Sequence, residues 1–118
     1  LELSPGLYDA IANRAQLYAD LQQFDKAKED CTSCLAIKPD DFDIYNLRAI
    51  CNVYLQLPRE ALIDYTRAIE LEPGEGILYL NRSYLYKQLG ENGNALLDAQ
   101  MATRLGVKME PSYMENLK

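Results

Sequence analysis

The sequence has no histidine and no tryptophan, and its 118 residues include only three cysteines. Without histidine it lacks the usual general base and the commonest metal ligand. It also has no glycine-rich phosphate loop and no Cys/His or Ser/Lys pairing, which removes the familiar routes to phosphate binding and nucleophilic catalysis. The sequence therefore predicts a protein that is not an enzyme, with no catalytic residues, no metal and no cofactor.

Basic residues are also few, with 12 Lys and Arg against 18 Asp and Glu and a formal net charge of -6. Nucleic acids and anionic membranes are bound through clusters of Lys and Arg, so this charge opposes both. No apolar run approaches the roughly 18 residues that a membrane-spanning helix requires. We therefore expect a protein or peptide partner, no nucleic acid and no membrane insertion.

The cysteines Cys31, Cys34 and Cys51 form an odd set, which disfavours a disulfide framework. Free cysteines that pack as small hydrophobic residues suit a reducing compartment, so we predict a cytoplasmic location. Cys31 and Cys34 form a Cys-x-x-Cys, a spacing found in half of a zinc site or in a redox pair. Since there is no second pair and no histidine, core packing is the favoured interpretation, and a metal or redox protein is a remote alternative.

A repeat of 34 residues runs through the chain. Residues of similar type or size recur at this step in the sets Pro5, Pro39 and Pro73; Ala15, Ala49 and Ser83; Ala27, Ala61 and Ala95; Cys34, Ala68 and Ala102; Leu21, Leu55 and Leu89; Ile11, Tyr45 and Tyr79. So many coincidences at one spacing define three repeats, which run over 8–41, 42–75 and 76–109.

Each repeat contains two segments with apolar residues at helical spacing, separated by residues that favour a turn. Small residues such as Ala15 and Ala27 recur in the two segments, so the helices can approach closely. Asp25 is a candidate N-cap for a second helix, and Pro58 suits the first turn of another. One hairpin cannot bury its own apolar face, so the repeats are expected to stack on one another.

Charged residues also follow the period. The first helices carry Arg14, Arg48 and Arg82, and the second helices carry Asp30, Asp64 and Asp98 at matching height. We predict a ladder of Arg–Asp pairs, within each repeat or between neighbours, that holds the hairpins in register.

The two ends of the chain carry different signals. Residues 1–7 align with the end of the second repeat and are interpreted as the tail of a preceding truncated repeat and a linker, with Leu1–Ser4 closing its second helix. We accordingly expect at least one more repeat before residue 1. Ser112 and Glu115 form a capping-box pattern after Pro111, which predicts a short capping helix within 110–118 that covers the last hairpin.

The period, the small residues at the eighth, twentieth and twenty-seventh positions of the repeat and the proline at the thirty-second resemble the tetratricopeptide repeat. The resemblance implies an all-α fold, an α-solenoid of three helix-turn-helix hairpins in a right-handed superhelix followed by the short capping helix. It also implies a protein-interaction scaffold. Two positions depart from the pattern: Asn52 stands where the other repeats have Tyr18 and Tyr86, and Val107 replaces the last proline.

In this family the first helices line a concave groove, and the resemblance carries their groove positions onto this sequence. The candidate partner-binding residues are Asn13, Gln16, Asp20, Asn46, Leu47, Ile50, Val53, Tyr54, Ile77, Leu80, Asn81, Tyr84 and Lys87, with Asp9, Ala12, Ala19, Asp43 and Gln88 at the remaining positions. The groove turns from polar to apolar along its length, so we expect it to bind an apolar extended segment or the face of a partner helix. Asn46 and Asn81 would hold the peptide backbone, and Lys87 would orient an acidic group.

One binding mode of the family is disfavoured. The carboxylate clamp for chaperone C-terminal peptides needs Lys, Asn and Arg at fixed groove positions, and no cation stands at any of them here. These positions hold Ala12, Gln16, Leu47, Ile77 and Asn81. Self-association as a homo-oligomer, through the same groove or through the open N-terminal face, is the alternative function.

Overall fold

The computed structural model describes residues 5–118, which form seven α-helices. They are α1 (Pro5–Asp20), α2 (Phe24–Ile37), α3 (Phe42–Tyr54), α4 (Pro58–Leu71), α5 (Gly76–Gln88), α6 (Asn92–Arg104) and α7 (Pro111–Glu115). Helix α1 packs on α2, α3 on α4 and α5 on α6, and the pairs stack through α2 with α3 and α4 with α5. The predicted all-α solenoid is confirmed. Among the described residues, no helix has the length and apolar character that crossing a membrane demands.

Proline changes where the first and last helices begin. Residues 5–7, interpreted from the sequence as part of a preceding tail, form the first turn of α1, which starts at Pro5. Leu1–Ser4, the predicted end of an earlier helix, lie outside the described residues. Helix α7 starts at Pro111 without a side-chain cap, so the capping box predicted at Ser112 is wrong. Both starts follow from the fixed φ and missing N–H of proline, which suit the first helical position.

The turn inside each helical pair is a Schellman motif. Its central residue has a positive φ of 61°, 63° and 80° in the three pairs, at Gln22, Gln56 and Gly90. In the first pair the N–H of Gln23 donates to the carbonyl of Tyr18 at 2.8 Å. Because this turn makes Gln23 the N-cap, α2 begins at Phe24 and the predicted Asp25 N-cap is wrong.

Small residues occupy the interface within each pair. Ala15, Ala27, Ala49, Ala61, Ser83 and Ala95 have no accessible surface. In the third pair Ser83 Oγ donates to the carbonyl oxygen of Ala95 at 2.7 Å, so an α5 side chain touches the α6 backbone directly. Larger apolar residues, such as Leu35 and Ile44, pack together between neighbouring pairs.

The predicted Arg–Asp ladder is confirmed. In each pair, two nitrogens of one arginine donate to both carboxylate oxygens of one aspartate at 2.7–2.9 Å. The partners are Arg14 with Asp30, Arg48 with Asp64, and Arg82 with Asp98. A third nitrogen of Arg48 and of Arg82 donates at 3.3 Å to the threonine of the preceding pair, Thr32 and Thr66. The ladder therefore joins helices within a pair and also joins successive pairs.

The middle pair departs from its neighbours at Asn52. In the outer pairs a tyrosine stands here and its ring lies beside the arginine, at 5.8 Å for Tyr18 and 5.6 Å for Tyr86. Asn52 is buried, and its Nδ2 donates to Asp64 Oδ2 at 3.1 Å, while its Oδ1 has no partner among the described residues. It borders a depression of about 320 Å³, so the smaller side chain leaves space beside the ladder.

Helix α7 covers the third pair. Leu117, two residues after its end, is buried with Ala95 and Ala99 of α6. The hydroxyl of Tyr113 hydrogen-bonds Ser83 Oγ of α5 at 2.8 Å. These contacts tie the end of the chain to both helices of the pair.

The segment between α6 and α7 packs against the start of α5. Helix α6 ends in a Schellman motif at Gly106, with a φ of 94°, instead of at a proline. The chain then passes so close to Gly76 that a Cβ there would lie 2.6 Å from Val107 Cγ2 and 3.0 Å from Leu105 Cβ. The earlier repeats have Tyr8 and Phe42 at this position, so the glycine is required only where the chain returns toward α7.

We predict that Gly76→Ala lowers the free energy of unfolding by about 1–3 kcal/mol, because the added methyl group overpacks this contact. Gly93→Ala is the matched control. Gly93 lies in the first turn of α6 with no atom within 4 Å of an added Cβ, so alanine there should raise the same quantity by at most about 0.5 kcal/mol. Urea unfolding followed by circular dichroism measures both. Equal effects would contradict the close contact at Gly76.

Candidate partner-binding face

Two adjacent depressions lie on the face formed by α1, α3 and α5. The first, called here the acidic depression, has a volume of about 450 Å³. Its lining residues are Gln16, Ala19, Asp20, Gln22, Phe24, Asp43, Asn46, Leu47, Ile50 and Tyr54. It contains two carboxylates and no basic side chain, so its surface is polar and negative.

The second, called here the tyrosine depression, has a volume of about 300 Å³ and lies mainly between α3 and α5. Its lining residues are Ile50, Val53, Tyr54, Tyr65, Asn81, Tyr84, Leu85 and Gln88. Three tyrosine rings and no charged side chain line it, so it suits an apolar group. Because Ile50 and Tyr54 belong to both depressions, the two form one continuous surface.

The exposed tyrosines of this face are each held by a second ring. Tyr54 stacks on Phe24 of α2, with ring centroids 4.4 Å apart and planes 3° from parallel. Tyr84 meets Tyr113 of α7 edge to face at 5.1 Å and 74°. Tyr54 is nevertheless 62% exposed and Tyr84 is 49% exposed. Such rings present apolar surface in a fixed orientation, as aromatic side chains of interaction sites do.

An amide pair connects the two depressions. Asn81 Nδ2 donates to Asn46 Oδ1 at 3.1 Å, which joins α5 to α3. A side-chain amide has two donors and an oxygen with two lone pairs, so both residues keep hydrogen-bonding capacity beyond this bond. The predicted role of these amides, to hold the backbone of a bound segment, stays a prediction.

The negative charge of the acidic depression is not compensated within residues 5–118. Neither Asp20 nor Asp43 forms an ion pair there. Asp20 accepts a hydrogen bond from Gln16 Nε2 at 2.9 Å. Burial, and then the charge of Asp41, raises the pKa of the Asp43 carboxyl above its usual value. A cation in this depression would relieve the repulsion that Asp43 experiences.

Nine of the thirteen candidate residues line the two depressions. They are Gln16, Asp20, Asn46, Leu47, Ile50, Val53, Tyr54, Asn81 and Tyr84. Asn13, Ile77, Leu80 and Lys87 lie outside both. The ammonium of Lys87 lies 5.2 Å from the ring of Tyr113, and its predicted role of orienting an acidic group stays a prediction.

Two leucines contribute less than the sequence suggests. Leu47 is 8% exposed and Leu80 is 7% exposed, because their side chains turn toward the core; Leu47 packs with Leu35 and Ile44. These two leucines therefore add little to the apolar part of the predicted groove, whose exposed large side chains are Tyr54, Ile77 and Tyr84.

Several lining residues were not predicted, notably Phe24, Tyr65 and Leu85. Phe24 and Tyr65 belong to second helices, and Leu85 is a buried residue of a first helix. One signal was present: Tyr65 is far larger than Cys31 and Ala99 at the same repeat position. A large residue at a small-residue position indicates that its ring extends beyond the interface that the small residues fill.

The three cysteines are buried and free. Burial raises the pKa of Cys31 to about 12 and that of Cys51 to about 11, and it also raises the pKa of Cys34. Thiols with such pKa values stay protonated near neutral pH and are poor nucleophiles and metal ligands. In the described part of the chain, no three His, Cys, Asp or Glu side chains are grouped to hold a metal ion.

Stacked helical pairs with one continuous face define an α-helical repeat protein. Residues 8–41, the bounds of the first predicted repeat, match the sequence model of the tetratricopeptide repeat family. This match covers one of the three predicted repeats and supports the resemblance to the tetratricopeptide repeat that the sequence predicts.

Two solved structures share the fold at low identity. The first TPR of Spaghetti (RPAP3), bound to the HSP90 peptide SRMEEVD, has a TM-score of 0.89 at 15% identity and covers 99% of this chain and 94% of its own. The Yersinia enterocolitica secretion chaperone SycD, in complex with a peptide of the translocator YopD, has a TM-score of 0.86 at 15% identity and covers 98% and 88%. At these identities the similarity shows the fold.

A curated relative is similar over a shorter stretch. The DnaJ homolog subfamily C member 7 homolog of Dictyostelium discoideum is 34% identical over 70 residues, which is 59% of this chain. The matched stretch spans 13% of that relative's own length.

We predict that the native protein does not react with a thiol reagent such as DTNB at pH 8, because its cysteines are both inaccessible and protonated. Adding urea above the unfolding midpoint should expose all three to rapid reaction. Ser33→Cys, at an exposed position of α2, is the control and should react at once without urea. Rapid native labelling of two cysteines would instead support the redox interpretation of Cys31 and Cys34.

Proposed function

We propose that this chain is a protein-interaction module that binds a polypeptide segment across the face of α1, α3 and α5. The observation that carries the proposal is the pair of adjoining depressions, which share Ile50 and Tyr54 and present two exposed aromatic rings. Rings that are already held in place can bury apolar surface on binding while losing little side-chain freedom. The face therefore favours association over catalysis.

The two similar structures support peptide binding by this fold. Spaghetti was solved with an HSP90 peptide and SycD with a YopD peptide, so the same fold holds a peptide in both proteins. Their ligands do not transfer at 15% identity. In this sequence the carboxylate-clamp positions carry no cation, so an acidic C-terminal peptide is not the proposed ligand.

We predict that Tyr54→Ala and Tyr84→Ala each weaken peptide binding about tenfold or more, since each removes a central aromatic contact. Peptides are first selected from a random phage-displayed library on the wild-type protein. Their dissociation constants are then measured by fluorescence anisotropy for wild type and variants.

Leu97→Ala is the control for these variants, because Leu97 is 65% exposed on the second helix α6. It should bind the same peptides as tightly as wild type. Thermal unfolding of each variant separates lost binding from lost folding. If Leu97→Ala lost binding while both tyrosine variants kept it, the site would lie on the second helices.

A second candidate function is self-association through α1. Leu17 is 56% exposed, whereas Cys51 and Leu85 at the same repeat position are 0% and 2% exposed. Helices α3 and α5 are covered by the preceding pair, through α2 and α4. Within residues 5–118, no preceding pair covers the equivalent apolar surface of α1.

Sedimentation velocity over a hundredfold range of concentration tests this candidate. Self-association through α1 should appear as a dimer at high concentration that Leu17→Glu abolishes and Leu97→Glu does not. A sedimentation coefficient that stays at the monomer value over the whole range would remove the candidate.

A further inference from the structure

We propose that the segment bound on this face carries an apolar side chain that enters the tyrosine depression and, a few residues away, a basic side chain that enters the acidic depression. The inference rests on the proposed function and specifies the chemistry of its ligand. The occupant is a polypeptide with a closely spaced Lys or Arg and a large apolar residue.

The tyrosine depression determines the apolar half of the ligand. Three tyrosine rings and the side chains of Ile50 and Val53 line it, with no charged group among its lining residues. Its amides, Asn81 and Gln88, offer hydrogen bonds to a backbone while the rings contact a side chain. A charged side chain placed there would lose its hydration without gaining a partner of opposite charge. An apolar or aromatic side chain has no such hydration to lose and gains contact with the rings.

The acidic depression determines the basic half. Asp20 at the end of α1 and Asp43 at the start of α3 both line it, and neither is paired with a cation in the described part of the chain. The ion pairs of that part engage other acidic residues, Asp30, Glu60, Asp64, Glu70, Glu91, Asp98 and Glu115. The charge of this depression is therefore available to a ligand, and it complements a Lys or Arg.

The shared wall of the two depressions sets the spacing between the two side chains. Both depressions include Ile50 and Tyr54, so one ligand can reach both across the Tyr54 ring. Side chains on the same side of an extended segment are two residues and about 7 Å apart, and those on one face of a helix are three or four residues apart. Adjoining depressions are expected to take neighbouring side chains from one side of the ligand, so we expect the basic and apolar residues two to four positions apart.

Charge also separates this ligand from the one in a similar structure. The HSP90 peptide SRMEEVD bound by Spaghetti carries three acidic residues and one arginine, so its side chains sum to a charge of -2. The acidic depression repels such a segment, and the net charge of -6 favours the approach of a basic one. This chain is thus expected to prefer a ligand of opposite charge on the same fold.

The first test compares peptide selection on three proteins. A random phage-displayed library is selected on wild type, on the double variant Asp20→Asn with Asp43→Asn, and on the control Glu29→Gln with Glu72→Gln. Both control residues are exposed and lie outside the two depressions, and both double variants remove the same amount of charge. Wild type and control should enrich Lys or Arg two to four positions from Leu, Phe, Tyr or Trp. The aspartate variant should keep the apolar preference and lose the basic one.

The second test is a double-mutant cycle with one selected peptide. Replacing its basic residue by Gln, or using the aspartate variant, should each weaken binding about three- to tenfold at low salt, and the two changes together should do no more than one alone. The effect should shrink as salt is raised from 20 mM to 300 mM, since salt screens exposed charges. Additive losses would show that the peptide cation does not contact this depression and would overturn the inference.

The outcomes separate this inference from the proposed function. Enriched peptides that are neutral or acidic, but still lose binding on Tyr84→Ala, would overturn the inference and leave the proposed function standing. No enrichment, or enrichment insensitive to Tyr54→Ala and Tyr84→Ala, would overturn both. A concentration-dependent dimer that Tyr84→Ala abolishes would assign the face to a second copy of the chain and would also overturn the inference.

Discussion

The close approach of two helices at alanine-sized residues is the constraint on which the rest of the structure depends. Ala15 and Ala27 have no accessible surface, and the same holds at the equivalent positions of the other pairs. In the third pair the contact is direct, because Ser83 bonds to the backbone of α6. A fixed distance between helices makes every pair the same shape, so the pairs stack and their first helices share one face.

The Arg–Asp ladder uses this geometry to hold register more than to add stability. Each carboxylate is nearly buried while its arginine keeps some contact with water, most of all at Arg14. Ion pairs of exposed groups contribute only about 0–1 kcal/mol each, but a buried carboxylate that lost its arginine would be left without compensation. Arg48 and Arg82 each donate a third hydrogen bond to the threonine of the preceding pair. An arginine that pairs with its own aspartate therefore also fixes the position of its pair relative to the one before.

The fold and the ladder could be predicted from the sequence because both depend on a 34-residue spacing that recurs in all three repeats. The helix caps and the binding face depend on individual residues that do not recur. Proline moved the starts of α1 and α7, and a Schellman turn moved the start of α2. Whether a groove residue points outward depends on side-chain packing between helices, which buries Leu47 and leaves Tyr54 exposed. Phe24 belongs to a second helix and so has no groove position in the repeat, yet it lines the acidic depression and stacks on Tyr54.

Each exposed ring of the binding face has its supporting ring in a neighbouring element. Tyr54 of the second pair is held by Phe24 of the first, and Tyr84 of the third pair is held by Tyr113 of α7. One repeat is consequently the unit that recurs in the structure, but the binding face is built from neighbouring elements. A single hairpin transplanted into another array would keep its shape and lose its pocket, so the order of the repeats carries information that no repeat carries alone.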